Sequence, residues 1–235
     1  MTIQIYAHRG AWGDGARQNS PESFDRAVEV GADGIECDVR LTRDLIPILS
    51  HDPVIGELVI ADHSYVELCE RLAGGAVTPV PLFPALAHAQ GLRCNVEIKP
   101  DSAGRGDVVT RTVLDHLLDF WGVSETLDRC EISSFDPSIV RSVRTLRPEL
   151  ASYLLVDRFD LTKSAIRTAV DLGLTGINLE YHRATPSVVH RVAEAGLRLG
   201  LWTIDSASVA KRLSYSSVAH MITNRVSSLI SVVRP

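Results

Sequence analysis

Four short polar groups stand early in the chain: His8-Arg9-Gly10, Glu36-Cys37-Asp38, His51-Asp52 and Glu97-Ile98-Lys99. Each lies in or just after an apolar run of strand length. Residues two apart on a strand face the same side. Glu36 and Asp38 therefore point together, as do Glu97 and Lys99, while Cys37 points the other way. Carboxylates at Glu36, Asp38 and Glu97 would then meet, and three such charges at close range repel unless a cation holds them. An all-oxygen set suits a hard divalent ion, Mg2+ or Ca2+, with Mn2+ also compatible. For any one of these carboxylates taken alone, a solvated strand end or an ordinary ion pair is the simpler account, such as Glu97 with Lys99 or Arg9. Two such i,i+2 pairs on adjacent strands favour the metal site.

The elements that must position these residues follow one rhythm. Strand-like runs occur at Ile3–Ala7, Gly34–Val39, Asn95–Lys99, Glu131–Ser134, Ser152–Val156, Gly176–Leu179, Leu199–Thr203 and His220–Thr223, with helical patterns between them. Phe24, Ala27 and Val28 are expected to share a helix face, as are Val109, Val113 and Leu117, and Ile139, Val143 and Leu146. Ser20-Pro21, Asp136-Pro137 and Thr185-Pro186 each place a capping side chain before a proline at the first helical position. Gly31, Gly91, Gly173 and Gly196 read as helix stops. Eight strand–helix units predict an α/β fold of the (βα)8 TIM-barrel type, whose active sites lie at the carboxyl ends of the strands. Between Val39 and His51 there is no room for a helix, so this stretch reads as a β-hairpin that extends the second strand and returns. A short insertion at about 52–91, with one or two short helices, then precedes the third strand.

Composition narrows the class. The chain has 235 residues, 45% of them hydrophobic, enough for one barrel domain spanning 1–235. A formal net charge of -5 gives no basic field for nucleic acid, and no polybasic segment for a membrane surface. No apolar run is long enough for stable membrane insertion. No secretory leader is recognisable, and Cys37, Cys69, Cys94 and Cys130 form no CxxC pair. Free thiols and a cytoplasmic location are expected. Trp121 reads as a core or boundary aromatic following a helix. His63, His88, His116 and His190 read as surface or helix-packing residues, and His182 as part of a solvated loop.

The order and spacing of the motifs are specific as a set. His8-Arg9-Gly10, Gly31-Ala32-Asp33-Gly34-Ile35-Glu36-Cys37-Asp38-Val39, Thr42-Arg43-Asp44, His51-Asp52 and Glu97-Ile98-Lys99 resemble the glycerophosphodiester phosphodiesterase family, with weaker matches at Ser133-Ser134-Phe135 and Trp202-Thr203. The resemblance implies hydrolysis of glycerophosphodiesters to sn-glycerol 3-phosphate and an alcohol, with a small-molecule phosphodiester as partner and a place in lipid and glycerol metabolism. It implies a divalent cation on Glu36, Asp38 and Glu97, and His8 and His51 as general acid and base. It further implies phosphate contacts from Arg9 and Lys99, and Trp202 beside the alcohol part of the substrate. These roles agree with the chemistry: cations stabilise charge gathering on the non-bridging oxygens, and expelling an alkoxide needs a proton donor. The nucleophile is either the substrate's own glycerol hydroxyl, through a cyclic phosphate, or water.

Three positions depart from the family pattern. Arg17-Gln18-Asn19 stands where Pro-Glu-Asn is usual, Leu45 follows Asp44 in place of glycine, and Thr223-Asn224 replaces Thr-Asp. Gln18 is expected to turn inward and hydrogen-bond near Arg9. Two other readings share the motifs: a phospholipase D/C-like enzyme acting on phospholipid or lysophospholipid, and a non-catalytic phosphoester-binding barrel. No apolar rim is visible in the 52–91 insertion to favour the first, and none of the two histidines and three carboxylates is missing, as the second would require.

Overall fold

The structure, a computed structural model, describes residues 2–100, 104–157, 162–215 and 217–233. The strands run in chain order as β1 (Gln4–His8), β2 (Gly34–Leu41), β3 (Pro47–Leu49), β4 (Val54–Ile55), β5 (Leu58–Val59), β6 (Arg93–Ile98), β7 (Cys130–Ser134), β8 (Ala151–Val156), β9 (Gly176–Glu180), β10 (Arg198–Trp202) and β11 (Val218–Thr223). The helices are α1 (Pro21–Glu29), α2 (Tyr65–Arg71), α3 (Leu82–Leu86), α4 (Gly106–Arg129), α5 (Pro137–Leu146), α6 (Thr162–Asp171), α7 (Pro186–Glu194), α8 (Ala207–Arg212) and α9 (Val226–Val233).

Eight strands pair in parallel in the order β1-β11-β10-β9-β8-β7-β6-β2, and β1 pairs with β2 to close the ring. This is a (βα)8 TIM barrel. Closure leaves no unpaired edge among these strands. Strand β3 pairs antiparallel with the upper half of β2, Val39 opposite Leu49 and Leu41 opposite Pro47, which is the expected hairpin.

Local chemistry explains the helix boundaries. Ser20, Asp136 and Thr185 each accept a backbone N–H at a helix start, with proline at the first helical position. Such caps contribute about 1 kcal/mol each. Gly31, Gly91, Gly173 and Gly196 are all left-handed, with φ between 63° and 76°. The strand ladder also explains the cysteines: Cys37, Cys94 and Cys130 are buried, free, and alternate away from the barrel interior.

Several expectations need correction. Val28 is 40% exposed and lies off the buried stripe of Phe24 and Ala27, because α1 is short and turns only one narrow face to the sheet. Trp121 does not follow a helix; it lies within α4, just before Gly122, whose φ of 72° kinks that helix. The insertion carries a small antiparallel pair, β4–β5, besides α2 and α3. It also exposes Val54, Val66 and Val77, so its surface is more apolar than its sequence pattern suggests. No helix among the described residues is long and apolar enough to cross a membrane.

Candidate active site

The chain leaves β1 through two successive left-handed residues, Arg9 at φ 56° and Gly10 at φ 78°. A Cβ at position 10 would collide with Ser23 Oγ. This close approach requires glycine and lets α1 pack against the turn. Ser23 Oγ donates to Arg9 O at 3.1 Å, and Asn19 N donates to the same oxygen at 2.8 Å. The motif glycine therefore acts through backbone geometry, while its neighbours His8 and Arg9 supply the side chains.

The strand ends converge as the alternation requires. Oxygens of Glu36, Asp38 and Glu97 lie within 4.8 Å of one another, all three residues buried. Lys99 Nζ meets Asp38 Oδ1 at 2.8 Å and also pairs with Glu97 Oε1. Arg9 Nε reaches Asp38 Oδ2 at 3.1 Å, and Arg9 N donates to Glu36 Oε2 at 3.1 Å. The simpler ion-pair account is thus partly realised, yet three carboxylates face only two cations. Asp38 Oδ1 and Glu97 Oε1 are buried and, among the described residues, make no hydrogen bond beyond their ion pairs to Lys99. The donor set fits a hard divalent ion.

Electrostatics record the crowding. Burial raises the Glu36 carboxyl well above its usual range, and the charges of Asp38 and Glu97 add to this. Burial, with Asp38 beside it, pushes Glu97 up to about 7 against the opposing pull of Lys99. Asp38 goes the other way: burial alone would raise it, but Lys99 and Arg9 hold it below the ordinary value. One cluster thus contains carboxylates pushed in opposite directions, a feature that concentrates at functional sites.

The two histidines are held differently. His8 Nδ1 lies 2.7 Å from Asn224 Oδ1. Asp205 takes both donors of Asn224, the backbone N at 2.8 Å and Nδ2 at 2.8 Å. Asp205 therefore orients the amide with its oxygen toward His8, which assigns the proton to Nδ1 and leaves Nε2 free, 3.9 Å from Glu36 Oε2. Burial lowers the His8 pKa, while the Asn224 bond and nearby carboxylates oppose that shift. His51 lies beyond the end of β3, its side chain 45% exposed, with Nδ1 2.8 Å from Asp52 Oδ1.

A cavity of about 170 Å³ collects His8, Arg9, Glu36, His51, Glu97, Lys99 and Trp202, with Ser133, Phe135, Leu155 and Ile222 completing its wall. Asp38, 1% exposed, belongs to the same cluster but does not line the cavity. Trp202 donates from Nε1 to Asn178 O at 2.9 Å and meets the Phe135 ring edge-on at 5.5 Å. The cavity lining thus combines cationic and acidic groups with aromatic and aliphatic ones.

Gln18 accepts from Arg9 Nη1 at 2.9 Å, the expected partner, but the residue is exposed and does not turn inward as expected. Leu45 has φ 65° and packs against the core. Left-handed backbone costs about 1–2 kcal/mol for such a residue, and Leu45 is only partly buried. Three supports leave no signal in the spacing of the sequence. Asn19 Nδ2 donates to Asp38 Oδ2 at 2.9 Å, Asp205 orients Asn224, and Asn224 contacts His8. The departure from Thr-Asp marked position 224, but nothing in its spacing pointed to His8.

The sequence profile of the Glycerophosphoryl diester phosphodiesterase family matches residues 8–228. The chain is 27% identical to a glycerophosphodiester phosphodiesterase of Caldanaerobacter subterraneus subsp. tengcongensis, across 100% of this chain and 99% of that protein. Among solved structures it resembles an Oleispira antarctica phosphodiesterase in complex with the product sn-glycerol-3-phosphate, with TM-score 0.87, 22% identity and coverage of 100% and 98%. A glycerophosphodiester phosphodiesterase of Parabacteroides distasonis superposes with TM-score 0.85 at 23% identity, covering 99% and 97%. With the family match covering residues 8–228, from the end of the first strand into the last helix, the chain belongs to the glycerophosphodiester phosphodiesterase family of hydrolases.

Proposed function

We propose that this protein hydrolyses glycerophosphodiesters to sn-glycerol 3-phosphate and an alcohol, with a divalent cation held by Glu36, Asp38 and Glu97. The observation that carries this reading is the convergence of three carboxylates, two cations and two histidines around one cavity. A bound Mg2+ or Ca2+ would supply Lewis-acid stabilisation of the phosphoryl oxygens. Arg9 and Lys99 bind the remaining phosphate charge, donating to non-bridging oxygens as charge builds there. His8, with Nδ1 engaged by Asn224, accepts or returns a proton at Nε2. His51, with Nδ1 engaged by Asp52, does the same at its own Nε2 on the open side. One histidine takes the nucleophile's proton while the other protonates the departing alkoxide, and their roles then exchange. Trp202 and Phe135 give the substrate's carbon skeleton an apolar wall.

The test is hydrolysis of a panel containing glycerophosphocholine, glycerophosphoethanolamine, glycerophosphoglycerol and an intact phospholipid, before and after exhaustive chelation. Turnover of the soluble diesters, abolished by chelation and restored by Mg2+, Mn2+ or Ca2+, is the expected result. Full activity in metal-free protein would remove the cation from the reading. Preference for the intact phospholipid would replace the substrate class.

A further inference from the structure

His51 differs from the other polar residues around the cavity because it neither lies in a barrel strand nor directly follows one. Strand β3 ends at Leu49, and the next backbone bond to β2 is Ser50 N to Asp38 O at 3.0 Å. Beyond it the chain turns away into the insertion, with the Asp52 side chain 75% exposed. The barrel reaches the His51 main chain through Arg40. Its Nε and Nη2 donate to His51 O at 3.1 and 2.9 Å, and its Nη1 donates to Pro100 O at 3.1 Å.

The placement of Arg40 follows from β2. Residues 36, 38 and 40 alternate onto one face of that strand, and Arg40 stands opposite Ile48 in the hairpin ladder. The strand that carries two of the carboxylates therefore also carries the brace. Pro100 directly follows Lys99, so one planar guanidinium ties the His51 segment to the segment that bears the phosphate-facing lysine.

We propose that Arg40 is a positioning residue for His51: its forked bond fixes the imidazole's reach over the cavity, and its third bond sets that reach relative to Lys99. This rests on the reading of His51 as a proton-transfer group. A guanidinium suits the task because its donors lie in a rigid plane, whereas an ammonium is a point charge on a flexible stem. Displacing a catalytic group by about 1 Å can cost roughly 10²-fold in rate.

The experiment compares the parent enzyme with Arg40→Gln, Arg40→Lys, His51→Ala and the double variant His51→Ala/Arg40→Gln, using glycerophosphocholine. Arg40→Gln should lower kcat by roughly 10–100-fold while KM moves by less than about 3-fold. Arg40→Lys should recover part of that loss. In the His51→Ala background, Arg40→Gln should cost less than about 2-fold, because the group it positions is gone. The His51 ring resonances should broaden in Arg40→Gln while the melting temperature stays near the parent's. A parental kcat in Arg40→Gln, an equal fold-loss in the His51→Ala background, or failure of both Arg40 variants to fold would each overturn the proposal. If His51→Ala itself kept the parental rate, the assignment of His51 would fall and take this inference with it. If His51→Ala is crippled and Arg40→Gln is not, only the positioning role fails.

Discussion

The barrel has two buried polar regions, one at its mouth and one near its floor, built from similar residue types. At the mouth, Glu36, Asp38 and Glu97 meet Arg9 and Lys99 beneath an open cavity. Near the floor, Glu131 is buried with Arg93 Nε 3.5 Å away. His220 stacks on Tyr6 at 4.9 Å, meets Tyr153 edge-on at 5.4 Å and contacts Asn178 Oδ1 at 3.0 Å. At the mouth, acid exceeds base and the oxygens face a space that a ligand can enter. At the floor, the carboxylate faces arginine and the imidazole is closed in by rings. Burial alone therefore does not mark a site; unbalanced charge with access does. In this architecture the mouth carries chemistry and the opposite end carries stability.

The sharpest way to break this comparison is at the histidines. His8→Ala and His51→Ala should each lose roughly 10²–10⁴-fold in kcat with little change in melting temperature, by steady-state kinetics and circular dichroism. Near-normal turnover by either variant on a substrate with a poor leaving group would remove that residue from the mechanism. A smaller loss is expected one layer out. Asn224→Leu keeps the bulk but removes the acceptor that orients His8, and should lower kcat by roughly 10–100-fold, the usual cost of losing such a supporting partner. An unchanged kcat would mean that His8 is held by packing alone.

The floor should respond in the opposite currency. A Cβ at Gly200 would overlap His220 Nε2 and Asn178 Oδ1. Gly200→Ala should therefore cost about 1–3 kcal/mol of stability, as overpacking does, in urea unfolding, with kcat per folded molecule unchanged. A rate loss larger than the stability loss would show that the two regions are coupled.

The most gradual effect is in the pH dependence of stability, which is spread over several pH units. Burial, reinforced by Arg198 and Arg93, depresses the His220 pKa from 6.5 to about 3. The folded state keeps the ring neutral while the unfolded chain takes up a proton below pH 6.5. His220 thus contributes a loss of stability as pH falls from about 6.5 toward 3, with a slope of at most about 1.4 kcal/mol per pH unit. Glu131, raised chiefly by burial, acts with the opposite sign between its folded pKa and its ordinary value. Comparing parent with His220→Asn isolates the histidine: the variant should show a shallower decline below pH 6.5. An identical slope would mean that His220 is not held neutral.

Much of this was legible in the chain. All eight barrel strands lie within two residues of where alternating apolar runs placed them, because strand length, period and flanking turns are local signals. Ser20, Asp136 and Thr185 identified helix starts for the same reason: each cap interacts with residues two or three positions away. The face shared by Glu36 and Asp38 followed from the two-residue period. The exposure of Val28 and the kink at Gly122 did not follow, since both depend on how a helix lies against the sheet rather than on its own pattern.

The sequence by itself marked the candidate residues at or just beyond the strand ends, and the eight strand–helix units that form the barrel. Only the tertiary structure decided how those residues are held. Asn224 meets His8 across 216 positions of chain, Arg40 reaches His51 O across 11 positions and Pro100 O across 60, and Asn19 reaches Asp38 across 19. Side-chain hydrogen bonds of this kind carry no period and no fixed spacing. They depend on how the strands and loops are brought together, and for Asn224 and His8 on barrel closure joining the two ends of the chain, which is why the candidate residues could be read in one dimension and their supports could not.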